Sequence, residues 1–290
     1  MMRLLLLQVF MCCVMAEVQV SFSPECKKFL YMGTPPRGLQ DPSLKNICQK
    51  YKGKPRFVTL YDVVDHIPVY SAYTFKRSDG SKKVDTPWMY EPQLSLDTGS
   101  GEMQAFPADG LHRSFEDAQA VLDDYSDTVS IERGQLNPDE HQAHLDDKAS
   151  TYTLTNVVPQ DRVFNIGTWK QHEHTIRRRL NNFCRGEAYI VTGVTTSGRM
   201  IRRHNLDRLA VPTYLWSAYC CIDYDHNAPF EERSKFPAFA SRALNAASGS
   251  EVLETGVQQL ENFLKQNTFV DKKFQIFYED CVPNSAIMTP

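Results

Sequence analysis

The sequence lacks several features that would each have pointed elsewhere. No Cys-x-x-Cys pair occurs, so a thiolate zinc knuckle is not expected. Beyond residue 16 no stretch approaches the ~20 apolar residues that span a bilayer. Internal repeats, low-complexity tracts and an interdomain linker are also missing. Positive charge is not in excess either: 32 Lys and Arg stand against 35 Asp and Glu, for a formal net charge of −3. A whole-surface attraction to polyanions is therefore excluded, and any binding of nucleic acid must rest on a local basic patch.

Residues 1–16 carry Arg3, then an apolar run from Leu4 to Val14, and end in Val14-Met15-Ala16 before Glu17. This short cationic–apolar–small pattern predicts a cleaved signal peptide, and hence a secreted, extracellular protein. Removing it takes away Cys12 and Cys13 and leaves Cys26, Cys48, Cys184, Cys220, Cys221 and Cys281, an even set suited to an oxidising compartment. We expect Cys26 to pair with Cys48, and Cys281 with Cys220 or Cys221. Strand alternation sends the last two, adjacent side chains to opposite faces, so they should have different partners. Residues 17–56 then read as a disulfide-closed loop segment with few regular patterns, 57–282 as one domain, and 283–290 as a tail.

The 42% hydrophobic content is enough for a sizeable core. β-Branched and aromatic runs at 56–61 and 68–75 read as a hairpin. Residues 88–96 read as extended. Ser114 and Asp117 resemble a capping box opening a short helix through Tyr125. Strands are expected at 128–132, 151–156, 187–195, within 210–224 and at 236–243, and helices at 168–183 and 251–265. The fold class is α+β: a mixed, mainly antiparallel sheet with flanking helices. Two basic groups, Arg177-Arg178-Arg179 and Arg199, Arg202, Arg203, His204 and Arg208, are candidate patches.

Two stretches carry chemistry. Residues 130–138 read S-I-E-R-G-Q-L-N-P, and residues 155–173 read T-N-V-V-P-Q-D-R-V-F-N-I-G-T-W-K-Q-H-E. In this order and spacing they resemble the DNA/RNA non-specific endonuclease family with its ββα-metal (His-Me finger) site. The similarity runs from about residue 57 to 281 and takes in 189–193 (Y-I-V-T-G) and 211–216 (V-P-T-Y-L-W). The early G-T-P-P-R-G-L loop matches the family's endonuclease domain-containing branch.

The resemblance implies a role for each residue that matches. Arg133 would clamp a phosphate oxygen through its bidentate fork. Glu132 stands where the family has aspartate. Asn165 would be the protein ligand of a single, mostly water-coordinated Mg²⁺. Glu173 would orient metal-bound water. Asn156, ahead of Pro159-Gln160, would lie near the substrate phosphate or in the loop supporting the site. Arg177 is a candidate nucleic-acid contact, and the partner would be a DNA or RNA backbone.

One position departs from the family. The histidine that serves it as general base is Gln135 here, and a neutral amide can position a water but cannot take its proton near pH 7. Losing a general base typically costs ~10²–10⁴ in rate. His141, His144, His172 and His174 are the nearest substitutes in sequence, while His66 and His112 have no supporting motif. The expected second phosphate-clamping arginine near 88–92 is absent, and Lys82 or Lys83 would have to stand in. Two functions follow as expectations. One is a secreted, Mg²⁺-dependent, sugar-nonspecific endonuclease with weakened proton transfer. The other is a catalytically silent descendant that binds nucleic acid, another polyanion or a protein partner.

Overall fold

Strand alternation organises the molecule, because successive side chains of the central strands feed two different cores. The computed structural model describes residues 18–19, 21–81, 84–108, 113–126 and 128–281. The expected signal peptide and tail, Lys82, Lys83 and His112 lie outside them. Eight strands form one sheet in the order Val18–Gln19, Leu44–Tyr51, Lys54–Asp62, Ile67–Thr74, Ala188–Arg203, Leu206–Cys221, Ala238–Leu244 and Leu253–Thr255, every neighbouring pair antiparallel.

On one face, Tyr70, Ala72, Val191, Trp216, Ala218 and Cys220 pack against Val257, Leu260 and Leu264 of the helix Val257–Asn267. On the other, Tyr73, Ile190, Tyr219 and Cys221 meet Ile176 and Leu180 of the helix Lys170–Phe183. Each such fully buried aliphatic side chain contributes about 1.5–3 kcal/mol relative to exposure. The disulfides obey the same alternation. Cys220 bonds Cys281 on the first face, Cys221 bonds Cys184 on the second, and Cys26 bonds Cys48. The mainly antiparallel α+β class and the 56–75 hairpin are as expected.

Several local expectations need correction. The helix read at 251–265 begins only at Val257, after the edge strand Leu253–Thr255, and the stretch read as extended at 88–96 is a short strand, Met89–Tyr90, followed by a 3₁₀ turn at Pro92–Leu94. Residues 44–51 form a strand rather than loop, tied inward by the Cys26–Cys48 bridge and by Gln49, whose amide donates to Thr59 and Thr155. The 114–125 segment forms two short 3₁₀ turns, Arg113–Phe115 and Leu122–Tyr125, in place of a helix. The second strand of the site is Val157–Asp161, and the alternating 151–156 stretch instead ends in a 3₁₀ turn at Leu154–Asn156.

Candidate functional site

The site is built on a separate two-stranded ribbon, Ile131–Gln135 paired antiparallel with Val157–Asp161. Arg133 lies opposite Pro159 and Gln135 opposite Val157. Gly134 between them is a steric requirement, since a Cβ there would fall 2.0 Å from the side-chain Cδ of buried Gln160. Val158 and Leu136 anchor the ribbon in a core cluster with Phe164 and Trp169. Asp161 then caps the next element: its carboxylate accepts from the backbone N–H of Val163 (2.9 Å) and Phe164 (3.3 Å). The chain runs through the α-turn Arg162–Phe164 into a π-helical turn, Asn165–Trp169, and on into Lys170–Phe183. Such π turns are frequent where a helix must re-aim a functional side chain. Here it begins on Asn165.

The ribbon and the π turn bring Asn165 beside the residue next to Arg133. Asn165 Nδ2 donates to Glu132 Oε2 at 3.1 Å, and Arg162 Nε pairs with Glu132 Oε1 at 3.2 Å. Asn165 is half-buried, and its Oδ1 accepts no hydrogen bond among the described residues. Arg133 lies with Cζ 4.8 Å from the centre of the Trp88 ring and 5.9 Å from that of Tyr125. It makes no ion pair among the described residues, and burial pulls its pKa below the ordinary arginine value.

Among the described residues no group of three or more His, Cys, Asp and Glu could hold a metal. The oxygen set that is present, an amide carbonyl with a free lone pair beside the Glu132 carboxylate, fits a hard cation that keeps most of its waters. It does not fit zinc. A cleft of about 930 Å³ elsewhere, lined by residues such as Phe22, Leu39 and Tyr70, shares none of these side chains.

Gln135 is bonded to protein at both ends of its amide. Its Nε2 donates to Thr151 O (3.1 Å) and Thr151 Oγ1 (2.9 Å), and its Oε1 accepts from Asp139 N (3.2 Å). Asn156 is completely buried. Its Nδ2 donates to Asn137 O and Thr151 O, and its Oδ1 accepts from Asn137 N and Ser71 Oγ. It thus braces the loop behind Gln135 and offers nothing to a ligand.

Arg177, expected to reach nucleic acid, is buried. It donates to Ser78 O (2.9 Å) and His174 Nδ1 (3.0 Å), and lies 3.7 Å from Glu140. Arg179, Arg203 and Arg208 also turn inward onto carboxylates, and Arg202 pairs with Asp207 at the surface. The two basic groups are therefore largely neutralised within the fold.

Two of the substitute histidines, His141 and His172, are committed inside the fold. His141 is buried: Nε2 donates to the Glu173 carbonyl (2.9 Å), so Nδ1 accepts the Tyr73 hydroxyl proton (2.9 Å). Burial drives its pKa down to about 3. His172 bonds Ser241 Oγ at 2.7 Å, and burial lowers its pKa to about 4. His66 is held between the Arg208 and Asp117 carbonyls, while His144 is exposed. Glu173 differs from all of these. Burial raises its pKa to about 7, against the pull of Lys170 at 3.2 Å and with help from Glu140, which shares the same lysine at 3.7 Å.

A family model described as DNA/RNA non-specific endonuclease matches residues 37–273. The chain belongs to the DNA/RNA non-specific endonuclease family. It is similar to the Endonuclease domain-containing 1 protein of Homo sapiens, at 35% identity over 213 residues, covering 72% of this chain and 41% of that protein. The Mus musculus protein of the same name is 32% identical over 201 residues, covering 68% and 38% respectively. The chain thus spans about two fifths of the length of these relatives. Its fold resembles a chain in the crystal structure of the EndoG/EndoGI complex, with a TM-score of 0.52 and 15% identity over 85% of this chain and 89% of that one.

Sequence reasoning on this endonuclease-family site missed the rings around Arg133, the Glu132–Asn165 contact and the Lys170 bridge. Glu173 carries a prediction. Its folded-state pKa stands above that of an unfolded chain, so its contribution to stability is complete below about pH 4.3 and is lost as pH rises through about 7. Denaturant midpoints of Glu173→Gln should therefore match the parent near pH 4 and exceed it at pH 8. Parallel profiles for the two proteins would contradict this.

Proposed function

We propose that the protein is a secreted, Mg²⁺-dependent, sugar-nonspecific endonuclease that hydrolyses DNA and RNA phosphodiesters slowly, because Gln135 occupies the position of the general base. Two observations support this reading: Arg133 makes no ion pair among the described residues, and Asn165, whose Oδ1 is unclaimed, bonds the side chain of Glu132 next to it on the same strand. Arg133 binds a phosphoryl oxygen and stabilises the charge that builds on it as water attacks. Asn165 would hold the ion, which when bound supplies a water of lowered pKa and neutralises the leaving oxygen. Glu173, whose carboxylate accepts from Lys170 at 3.2 Å, would be the acid that orients the water. Trp169, buried between Asn165 and Glu173 along the chain, keeps the helix seated against the ribbon.

A second reading, a nuclease fold that binds a phosphodiester backbone without cutting it, is favoured by one specific feature. Both ends of the Gln135 amide are already bonded to protein, which leaves it little capacity to orient a water.

Plasmid nicking by the purified protein separates the two. The first reading expects slow nicking with Mg²⁺ that chelator abolishes and that Asn165→Ala lowers by at least about 10²-fold, the scale of one lost transition-state contact. Binding without nicking by the parent would move the assignment to the second reading. Equal nicking by Asn165→Ala would remove both the metal ligand and the enzyme assignment.

A further inference from the structure

Arg133 stands apart from the other arginines that turn into the fold. Arg177, Arg179, Arg203 and Arg208 each have a carboxylate partner, whereas Arg133 has two aromatic rings and no carboxylate among the described residues. The acid next to it, Glu132, is turned to Arg162 and Asn165. The rings are themselves fixed from behind. Trp88 packs on Tyr152 with centroids 5.3 Å apart, and the Tyr152 hydroxyl donates to Asp139 Oδ2 at 3.0 Å.

Tyr125 is buried with no hydrogen bond to its hydroxyl, so its own oxygen does not hold it. The neighbouring Asp124 does. Its carboxylate, without solvent exposure, accepts from Arg203 Nε (3.0 Å), Arg208 Nε (2.9 Å), Arg208 Nη2 (3.1 Å) and Val121 N (2.9 Å). Tyr125 also shares an apolar cluster with Leu154, Val157 and Leu209, against which Trp88 packs, so ring positions are set from both the ribbon and the long hairpin.

Building on the phosphate-clamp reading above, we propose that Trp88 and Tyr125 are positioning residues that hold the Arg133 guanidinium by its faces, with the Asp124–Arg203–Arg208 network fixing Tyr125. A carboxylate in their place would hold the side chain equally well but would compete with the phosphate. Aromatic faces hold a cation without consuming its N–H donors. The fork is then fixed in place and still free to bond a phosphoryl oxygen, which lowers the ordering cost of binding.

The test is a double-mutant cycle read by binding. Anisotropy of a labelled single-stranded DNA oligonucleotide is titrated in chelator over a range of salt, with Arg133→Ala, Trp88→Leu, Tyr125→Leu, Trp88→Phe and the two Leu/Ala doubles. Arg133→Ala is expected to weaken binding and to reduce the salt slope by roughly 0.7, the value for one phosphate contact on a single strand. Trp88→Leu and Tyr125→Leu should each weaken binding by several-fold with part of that slope change. Either double should be no weaker than Arg133→Ala alone, and Trp88→Phe should retain most of the parent affinity. Effects of Trp88→Leu and Tyr125→Leu that add in full to Arg133→Ala overturn the proposal while leaving the clamp. An Arg133→Ala protein that binds like the parent, or a parent that does not bind, overturns the clamp reading and the proposal together.

Discussion

Replacing Gln135 with histidine is expected to raise the Mg²⁺-dependent rate of plasmid nicking by about 10²–10⁴-fold, the usual worth of a general base. The local geometry allows this. An imidazole at 135 can give one ring N–H to the Thr151 carbonyl that Gln135 Nε2 now meets at 3.1 Å, leaving its other nitrogen as an acceptor for a water proton. The cost is the bond from Asp139 N to the amide oxygen, on the order of 1 kcal/mol of stability. The gain should appear in single-turnover rates, with a new inflection near the ordinary histidine pKa of about 6.5. It should also vanish in the Gln135→His/Asn165→Ala double. An unchanged rate in a folded Gln135→His protein would mean that position 135 does not face the attacking water.

The largest expected loss of stability is at Asp124. Its carboxylate has no solvent exposure and accepts from two arginines and one backbone N–H, and Arg208 is itself only 8% exposed. Removing one partner of such a buried pair leaves an uncompensated charge inside and costs about 3–5 kcal/mol. At roughly 2–4 °C per kcal/mol for a domain of this size, Asp124→Ala should lower the apparent Tm by about 6–20 °C. Asp146→Ala is the control, because its bond to Lys52 joins side chains that are 44% and 61% exposed, and exposed pairs contribute about 0–1 kcal/mol. Thermal scans at one fixed rate, with the disulfides kept oxidised, make the comparison. Similar losses for the two variants would show that the 113–126 segment is not held by Asp124.

The parts of this structure readable in the sequence are those in which local pattern and tertiary packing agree. The 56–75 hairpin is a β-branched and aromatic run buried on both faces of the sheet, and the adjacent cysteines 220 and 221 take partners on opposite faces. Where the sequence misled, side chains had displaced the local pattern. T-Y-T-L-T-N alternates like a strand, yet Asn156 draws its own Thr151 carbonyl into a turn. The true strand, V-V-P-Q-D, contains a proline that counts against strand assignment, and tolerates it because the ribbon has only two strands. The 114–125 stretch carries a helix-like start, but the Asp124 carboxylate bonds Val121 N and two distant arginines, and this fixes a tighter turn.

For the site, Arg133, Gln135, Asn165 and Glu173 could be singled out by motif. Their surroundings could not. Whether Arg177 and the histidines reach solvent depends on packing across the 78–80 and 139–141 turns, about which helical spacing says nothing. The rings that hold Arg133 come from residues 45 positions before it and 8 before it, a contact that only the fold creates.

The account stands on a single divalent cation held by Asn165 on the ribbon side of the site helix. Crystals of the protein soaked in Mn²⁺ as a stand-in for Mg²⁺, with anomalous diffraction collected at the manganese edge, test it most directly. The account predicts one strong peak bonded to Asn165 Oδ1, otherwise surrounded by waters, and its disappearance in Asn165→Ala. A peak confined to other carboxylates, or none at Asn165 at saturating Mn²⁺, would contradict it.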